Sequence, residues 1–348
     1  MRTPRPLTYL LGALLGALLT VAGALPGAGP ARAADNGNWS VYPTPAAGQQ
    51  ATSRAYFFHQ GAAGGTVTDS VTLTNSSAAP ITFLVFATDA TNTPAGGAFA
   101  LLPVEKKPKD LGTWITLPPE VAGKPVTVPP KGRRDIPFTV RIPEDANPGD
   151  HVGGIVALNT RVEGVKKEGK VQVGVRRSVG ARFYLRVPGP LTAALSVEGV
   201  SVKRDAPLLP WSRKAPATIS YSLVNRGNVV LDPQVAMRAQ GLFGREVFSR
   251  RNRDLHLVLL PGQRIDLTEA WAASPQLDWV TLKVTATAAD HPDERQSAET
   301  GFLAVPWAAA GLLLLLAGAG LATWVLHRRT RRATTTPEPE PQDLATTG

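Results

Sequence analysis

Apolar and polar side chains alternate with a period of two along most of residues 34–304, and this pattern constrains the fold more than any other feature. The clearest runs are residues 66–75, 135–143 and 278–288. Successive side chains of a β-strand point to opposite faces, so this period is typical of strands with one buried and one solvent-facing side. Turn-forming Pro and Gly residues separate the runs, and between the two apolar ends of the chain no segment has a helical period. The sequence therefore predicts an all-β protein.

The strand pattern is repeated once along the chain. Residues 69–86 resemble residues 217–235, because each segment has an alternating strand, an asparagine, a small polar turn and a second apolar strand. Asn75 and Asn225 are the corresponding positions. Two further pairs of similar segments follow in the same order, which indicates two similar domains in tandem.

We predict that these domains are two tandem immunoglobulin-like β-sandwiches, residues 34–188 and residues 189–304. The boundary is placed at residues 188–190, Pro-Gly-Pro, which are expected to form a stiff, exposed linker. The spacing between matching segments shrinks along the chain, so the first domain contains extra residues. We place this insertion at residues 96–120.

The two ends of the chain are apolar and are not expected to belong to either sandwich. Residues 1–33 have early arginines, an apolar stretch and a closing Ala-Arg-Ala, as in a signal peptide. Residues 305–326 are long and apolar enough for one transmembrane helix. The basic run at 327–332 predicts that the polar tail, residues 327–348, is cytoplasmic. The expected location is the plasma membrane, with a single pass and residues 34–304 outside.

Cysteine content and charge exclude several classes of function. The chain has no cysteine, which excludes disulfides, thiol nucleophiles and cysteine-ligated zinc. Its net charge is +10, but three basic residues lie in the first 33 and four follow the second apolar stretch. Residues 34–304 are therefore only mildly basic, which suits an anionic cell envelope and does not indicate nucleic acid.

No motif for catalysis or metal binding is found in the sequence. The five histidines lack partners at metal-ligand spacing, and neither a nucleophile elbow nor a phosphate-binding loop occurs. Asp89 and Glu144-Asp145 could bind calcium, although turn formation is the favoured interpretation. We therefore predict a non-enzymatic protein with no catalytic residue, cofactor or metal.

The glycine pair Gly153-Gly154 lies between a turn signal and an apolar run. A phosphate cradle would need a helix after the glycines, and none is predicted there. We interpret the pair as the entry to a strand, where glycine permits either a bulge or a close approach between backbones.

Residues 170–187 are the best candidate for a binding surface. Their odd positions are mostly apolar, whereas the even positions carry the predicted wall-polymer ligands, which are Arg176, Arg182, Tyr184 and Arg186. Arg177 interrupts the pattern, so a bend or bulge is expected to divide two strands there. The alternative is an ordinary soluble sheet exterior, in which arginine stems cover apolar surface. A second basic cluster, Arg250, Arg251 and Arg253, is predicted to lie in a loop.

Several segments together resemble the WxL-interacting surface proteins and their peptidoglycan-binding domain. They are Tyr56-Phe57 and residues 66–75, 86–101, 128–157 and 179–190. The resemblance implies a surface adhesion or scaffold protein whose first domain is associated with peptidoglycan and whose second domain contacts partner proteins. It also implies the second sandwich and the C-terminal membrane helix that the residues predict.

The sequence thus predicts a cell-surface protein that binds peptidoglycan or an anionic wall polymer, with surface proteins as possible further partners. Its Ala-, Pro- and Arg-rich composition indicates a Gram-positive organism. Two alternatives remain open at this point. One is a wall hydrolase with a site built from loops; the other is an envelope sensor or assembly chaperone that captures a strand by edge pairing.

Overall fold

The structure is a computed structural model that describes residues 37–46, 48, 54–162, 164–168, 171–205, 207, 215–305 and 307–333. The predicted signal peptide and residues 334–348 of the predicted tail lie outside these residues. The described chain is dominated by β-strands, so the all-β prediction is confirmed. The strands are β1 (Trp39–Pro43), β2 (Phe57–Gln60), β3 (Thr66–Asn75), β4 (Ile81–Asn92), β5 (Phe99–Leu101), β6 (Ile115–Thr116), β7 (Pro125–Val128), β8 (Arg133–Arg141), β9 (Gly149–Asn159), β10 (Gly164–Glu168), β11 (Val171–Val175), β12 (Ser178–Val187), β13 (Leu195–Arg204), β14 (Ala215–Asn225), β15 (Pro233–Gln240), β16 (Glu246–Asp254), β17 (Arg264–Ser274), β18 (Asp278–Ala288) and β19 (His291–Ala304).

The first sandwich is formed by two sheets that share one apolar core. One sheet has the strand order β1-β3-β8-β6, and the other has the order β2-β12-β9-β4-β5, with β7 also paired to β4. All pairings are antiparallel except that of β2 with β12, which is parallel. The largest fully buried side chains are aromatic and come from both sheets, namely Trp39, Phe57, Phe83 and Phe183. A one-turn helix, Leu111–Trp114, lies in the predicted insertion.

The second sandwich repeats this architecture with fewer additions. Its sheets have the orders β13-β14-β17 and β16-β15-β18-β19, and a second separate core lies between them. These seven strands correspond in order to β1-β3-β8 and β5-β4-β9-β12 of the first sandwich. Sheets of three and four antiparallel strands in this order form an immunoglobulin-like sandwich, so the predicted tandem repeat is confirmed.

The two corresponding asparagines make the same hydrogen bonds. Asn75 donates from Nδ2 to the carbonyl oxygens of Ala79 and Val128, at 2.8 and 3.1 Å. Its Oδ1 accepts from the backbone N–H of Ser77 at 2.9 Å. Each asparagine therefore joins the end of one strand, the turn that follows it and a third segment of the sandwich.

Asn225 repeats this network in the second sandwich. Its Nδ2 donates to the carbonyl oxygens of Val229 and Leu259, at 2.7 and 3.0 Å, and its Oδ1 accepts from the N–H of Gly227 at 2.9 Å. Both asparagines are buried, and buried backbone groups need such partners. An asparagine side chain thus stabilises the equivalent turn in each of the two sandwiches.

The glycine pair lies inside β9 and not at its entry. The register of β9 with β4 and with β12 is regular across the pair, so of the two predicted roles the close approach is observed and the bulge is not. A Cβ added at Gly153 would lie 2.5 Å from the carbonyl oxygen of Thr88. A Cβ added at Gly154 would lie 2.7 Å from Cδ1 of Leu101, which belongs to the insertion. Gly154 therefore leaves room for the insertion to pack on the sheet.

The two sandwiches contact each other through buried backbone groups. Nδ2 of Asn92 donates to the carbonyl oxygen of Val258 at 2.7 Å, and Oδ1 of Asn92 accepts from the N–H of Leu260 at 2.9 Å. The predicted linker is exposed, as expected, but it is also held, because Asn228 donates to the carbonyl oxygen of Pro190 at 2.9 Å. The hydrogen bonds of Asn92 and of Asn228 therefore hold the two sandwiches against each other.

A long apolar helix, Trp307–Ala333, follows β19 almost at once. Within Trp307–Thr330 the most apolar stretch of 18 residues has a mean hydropathy of 2.1, and none of that stretch is buried against the rest of the described chain. The helix starts two residues later than the predicted span and extends beyond its end. Its length and composition are sufficient to cross a membrane.

Candidate functional site

The predicted basic face of β12 has the expected alternation. The inward side chains Ala181, Phe183, Leu185 and Val187 are buried. Arg182 and Tyr184 point to the opposite face and are half-buried, while Arg186 is exposed. Residues 176–177 separate β11 from β12, as the interrupted pattern predicted. The outer face of this sheet therefore carries the candidate residues.

Tyr184 is part of an aromatic cluster that sequence analysis did not identify. Its ring stacks on Phe58 with 5.1 Å between centroids and 9° between ring planes. The ring of Tyr56 meets both of them edge-on, at 6.1 Å from each centroid. The side chain of Phe58 is 68% exposed, so one aromatic face of the cluster is open to solvent. This outer surface is called the aromatic face below, and it consists of Tyr56, Phe58, Tyr184, Phe99 and Arg182.

Arg182 is held between rings of this face. Its guanidinium carbon lies 4.2 Å from the ring centroid of Phe99 and 5.2 Å from that of Tyr56, within the range of cation–π attraction. Burial raises the pKa of Tyr184, against the opposing effect of the nearby Arg182. The tyrosine therefore stays neutral and can donate a hydrogen bond from its hydroxyl.

A cleft of about 610 Å³ lies beside the aromatic face. One wall is formed by the insertion, where Leu101 packs over Gly154 and Gly180. At its rim Arg176 approaches Glu105, with 3.7 Å between their charged groups. Both side chains are open to solvent, 40% exposed for Arg176 and 67% for Glu105, so the pair contributes little to stability and can exchange for a ligand. The cleft has the size of an ordinary small-molecule or oligomer subsite.

The four predicted residues do not all lie together. Arg176 and Arg182 line the cleft, and Tyr184 belongs to the adjoining aromatic face. Arg186 is separate, because it makes two hydrogen bonds to Asp150, at 2.6 and 2.8 Å. Asp150 also accepts from the N–H of Val230 at 2.8 Å, so Arg186 lies at the junction of the sandwiches.

The missed residues had only a weak sequence signal. Tyr56 and Phe58 sit at a strand that pairs in parallel with β12, and this long-range pairing cannot be inferred from a four-residue strand. Phe99 lies in the insertion, whose packing over the sheet depends on Gly154 and Gly180. The run Tyr-Phe-Phe was a visible hint, since an exposed ring beside a buried one is typical of a strand with two different faces.

A charged cluster holds the segment that presents Tyr56. Arg54 donates to both carboxylate oxygens of Asp69, at 3.1 and 2.6 Å, and His59 lies 2.7 Å from the same carboxylate. Burial alone would raise the pKa of Asp69, but the hydrogen bonds from His59 and Arg54 outweigh it and hold the pKa well below its ordinary value. Asp69 is therefore ionised and fixes the chain on either side of Tyr56.

Asp89 has a structural role. Its carboxylate accepts hydrogen bonds from the backbone N–H groups of Lys109, Asp110 and Gly112, at 2.5, 3.0 and 2.7 Å. These donors occupy the lone pairs that a calcium ion would need. Across the described residues there is no cluster of three or more side chains suited to a metal ion. Asp89 thus fastens the insertion to the sheet.

The prediction that the second basic cluster lies in a loop is wrong. Arg250, Arg251 and Arg253 belong to strand β16, whose register with β15 shifts between Arg250 and Arg253. Arg250 and Arg253 both pair with Glu269 of β17, which lies on the opposite sheet. These charges therefore connect the two sheets along one edge of the second sandwich.

The fold and the site together indicate a class of protein. Two β-sandwiches, an open aromatic and basic sheet face and one terminal helix that could cross a membrane are the features of a membrane-anchored surface protein. The family model described as WxL Interacting Protein, peptidoglycan binding domain, matches residues 39–158. The resemblance predicted from the sequence is therefore confirmed for this segment, and it supports a cell-wall-binding surface protein.

Comparisons with solved structures give only distant likenesses. The class 5 fimbriae chaperone CfaA is 10% identical with a TM-score of 0.34, covering 76% of this chain and 99% of that one. The Pseudomonas aeruginosa CupB2 chaperone is 10% identical with a TM-score of 0.30, covering 72% and 97%. At these TM-scores the likenesses support no inference about this chain. Among curated proteins, none matches it.

Proposed function

We propose that the first sandwich binds peptidoglycan through the aromatic face and the adjoining cleft. The observation that carries this proposal is the stack of Phe58 on Tyr184, open to solvent and next to Arg182. Sugar rings present flat C–H surfaces that pack on exposed aromatic rings, which bury large apolar area. Arg182 and Arg176 would form charge-assisted hydrogen bonds with carboxylates of the wall polymer.

The cleft suits a polymer better than a small, fully enclosed ligand. Its rim carries the pair Arg176 and Glu105, and its lining includes Tyr56, whose ring meets the exposed ring of Phe58, so the cleft adjoins the aromatic face. Contact along an extended face is typical of non-catalytic recognition, in which several weak subsites add up. We therefore favour polymer binding over hydrolysis.

The proposed arrangement in the envelope follows from the order of the segments. Residues 1–33 direct export, residues 34–188 and 189–304 form the two exported sandwiches, and the terminal helix anchors the chain with its basic end in the cytoplasm. The hydrogen-bonded junction holds the sandwiches in one orientation. The protein would act as a scaffold between membrane and wall, with surface proteins as further candidates for contact.

Retention of the detergent-solubilised full chain on purified sacculi tests the proposal. The double variant Phe58→Ala/Tyr184→Ala is expected to lower retention about tenfold, because it removes the stacking surface, which corresponds to roughly 1.4 kcal/mol. Arg182→Ala is expected to lower it severalfold. The matched control is Arg238→Ala, which removes an exposed arginine from the second sandwich and leaves the face intact.

Sacculi with and without their anionic polymers distinguish the two ligand chemistries. If peptidoglycan itself is bound, retention persists after the anionic polymers are removed. Equal retention of wild type, the aromatic double variant and the Arg238→Ala control would show that the aromatic face does not bind the wall.

A further inference from the structure

The end of the second sandwich next to the terminal helix is unlike the rest of its surface. Among described residues 195–304, every large apolar side chain that is exposed lies at this end. These residues, called the apolar tip below, are Leu242, Phe243, Leu277, Trp279 and Leu303. Scattered exposed apolar residues are ordinary, whereas their collection at one end marks an interaction surface.

Pairing in the sheet brings the members of the apolar tip together. Trp279 at the start of β18 lies opposite Leu303 near the end of β19, and both point to the outer face of the sheet. Gly301 lies beside the indole ring, because a Cβ added there would be in ordinary contact with Cζ2 of Trp279, at 3.5 Å. Leu277 immediately precedes β18 and is 71% exposed.

A tight turn presents Phe243 at the same end. Its φ is 60°, a left-handed conformation that is costly for an aromatic residue, and its side chain is fully exposed. Asp278 holds this turn, because its carboxylate accepts from the N–H of Leu242 at 2.8 Å and from Arg245 at 2.8 Å. Hydrogen bonds to the buried carboxylate of Asp278 thus hold an apolar ring in an exposed position. This costly arrangement is expected where the ring has an apolar environment to enter.

The apolar tip is adjacent to the membrane helix. Leu303 is four residues before Trp307, the first residue of the helix, which limits their separation to about 14 Å. The connection is tightened further, since the N–H of Trp307 donates to the carbonyl oxygen of Val305 at 3.0 Å. A bilayer has a polar interfacial layer of about 5–7 Å on each side of its hydrocarbon core, so the tip is within reach of it.

Polarity along the outer face of β18 and β19 changes with distance from the helix. The cross-strand pair nearest to the helix is apolar, Trp279 with Leu303, and the pair two positions further is Thr281 with Gly301. The next pair is charged, because Lys283 lies 2.9 Å from Glu299. A gradient from aromatic to charged residues matches the change from acyl chains through headgroups to water.

We propose that the apolar tip inserts into the outer interfacial layer of the bilayer in which the chain's own helix is anchored. Phe243 and Trp279 would lie at the boundary between headgroups and acyl chains, and Arg245 would contact lipid phosphate. Docking would fix the tilt of the second sandwich, and through the hydrogen-bonded junction it would set the direction in which the aromatic face points. The proposal rests on the membrane helix and is independent of wall binding.

The test uses the absence of cysteine in the wild-type chain, which allows one fluorophore to be placed at a chosen site. The full chain is reconstituted in nanodiscs of phosphatidylcholine and phosphatidylglycerol that contain either no spin label, or headgroup-spin-labelled lipid, or acyl-chain-spin-labelled lipid. An environment-sensitive label at Leu277→Cys reports on the apolar tip while Phe243 remains in place. The control label is at Asp290→Cys, in the turn at the opposite end of β18, about 33 Å away. A third label at Ala319→Cys reports insertion of the helix.

The expected result is that the spin-labelled lipid quenches the Leu277→Cys label about twofold or more and leaves the Asp290→Cys label unchanged. Adding Phe243→Ser and Trp279→Ser should reduce that quenching, with helix insertion unaffected. If acyl-chain spin labels quench the label at 319, but headgroup spin labels leave the label at 277 as unaffected as the label at 290, the proposal is wrong. If the label at 319 is not quenched by acyl-chain spin labels, the helix is not inserted and the proposal fails with it. Sacculus retention, measured separately, reports on wall binding alone.

Discussion

The two sandwiches have the same strand order and the same asparagine network, yet they use the corresponding outer sheet differently. In the first sandwich the insertion packs over that sheet at Gly154 and creates a cleft beside exposed aromatic rings. In the second sandwich the sheet stays bare and its exposed apolar residues gather near the membrane helix. The common core specifies the fold, and the additions on one face specify what each copy can bind.

The features that the two sandwiches share are buried, and the features in which they differ are exposed. Asn75 and Asn225 are buried in their cores, whereas Phe58 and Phe243 face solvent. Variants of the shared elements should therefore change stability, and variants of the differing elements should change binding. The following predictions test this division, from the largest expected effect to the smallest.

Asn75→Ala and Asn225→Ala should each destabilise their own sandwich by about 3 kcal/mol, because each removes three hydrogen bonds to backbone groups. Hydrogen exchange measured by mass spectrometry resolves the two sandwiches separately. Loss of protection should be confined to residues 39–187 in the first variant and to residues 195–304 in the second. A large effect of only one variant would contradict the equivalence of the two networks.

Gly154→Ala should destabilise the first sandwich by about 2 kcal/mol, since the added Cβ would meet Leu101 and the carbonyl oxygen of Ala181 at 2.7 and 2.6 Å. It should also lower sacculus retention by moving the wall of the cleft. The matched change in the second sandwich is Gly301→Ala, whose Cβ would make an ordinary contact with Trp279 at 3.5 Å. Urea denaturation checks both variants, and a similar cost at the two glycines would remove the proposed role of the insertion.

The stability of the first sandwich should depend on the protonation of His151. Burial alone would lower the pKa of His151, but the hydrogen bonds with Asp110 and with the carbonyl oxygen of Asn147 raise it above its ordinary value. A raised folded-state pKa gives stability that is fully present below the unfolded pKa of about 6.5 and is lost as the pH rises through the folded pKa.

His151→Gln should therefore cost about 1 kcal/mol at pH 5 and much less at pH 9, as measured by urea denaturation at the two pH values. The control is His256→Gln in the second sandwich, because the side chain of His256 is 84% exposed beside Asp254 and its ion pair should contribute little. If His151→Gln lowered the free energy of unfolding more at pH 9 than at pH 5, the proposed role of protonated His151 would be contradicted.

Arg182→Lys should lower sacculus retention about threefold and leave stability unchanged. Lysine keeps the charge but loses the planar group that lies over Phe99 and Tyr56. Arg238→Lys in the second sandwich is the control and should have no effect on retention. If Arg182→Lys bound as well as the wild type, the charge of Arg182 alone would be sufficient and the stacking would be irrelevant.

The sequence predicted what depends on local periodicity. Alternation gave the strands, the two faces of β12 and the division at Arg177, because each follows from the direction of successive side chains. The repeat was visible because Asn75 and Asn225 occupy the same place after an alternating strand. The long apolar helix was equally clear, since a bilayer requires about 20 apolar residues in succession.

The sequence did not predict contacts between distant segments. The pairing of Phe58 with Tyr184 depends on a parallel strand joined across more than one hundred residues. Arg186 was grouped with Arg182 because both lie on one strand face, yet its partner Asp150 places it at the junction. Contacts of this kind depend on the strand topology and on close approaches between backbones at glycine. Neither leaves a periodic pattern in the sequence.

The most direct test of the central claim is side-chain NMR of the full chain, with ¹³C-labelled phenylalanine and tyrosine, titrated with soluble peptidoglycan fragments. The account predicts saturable shifts of the Phe58 and Tyr184 ring signals, with those of Phe243 and Phe302 in the second sandwich unchanged. Retention on sacculi without any shift at Phe58 or Tyr184, or with shifts confined to the second sandwich, would contradict it.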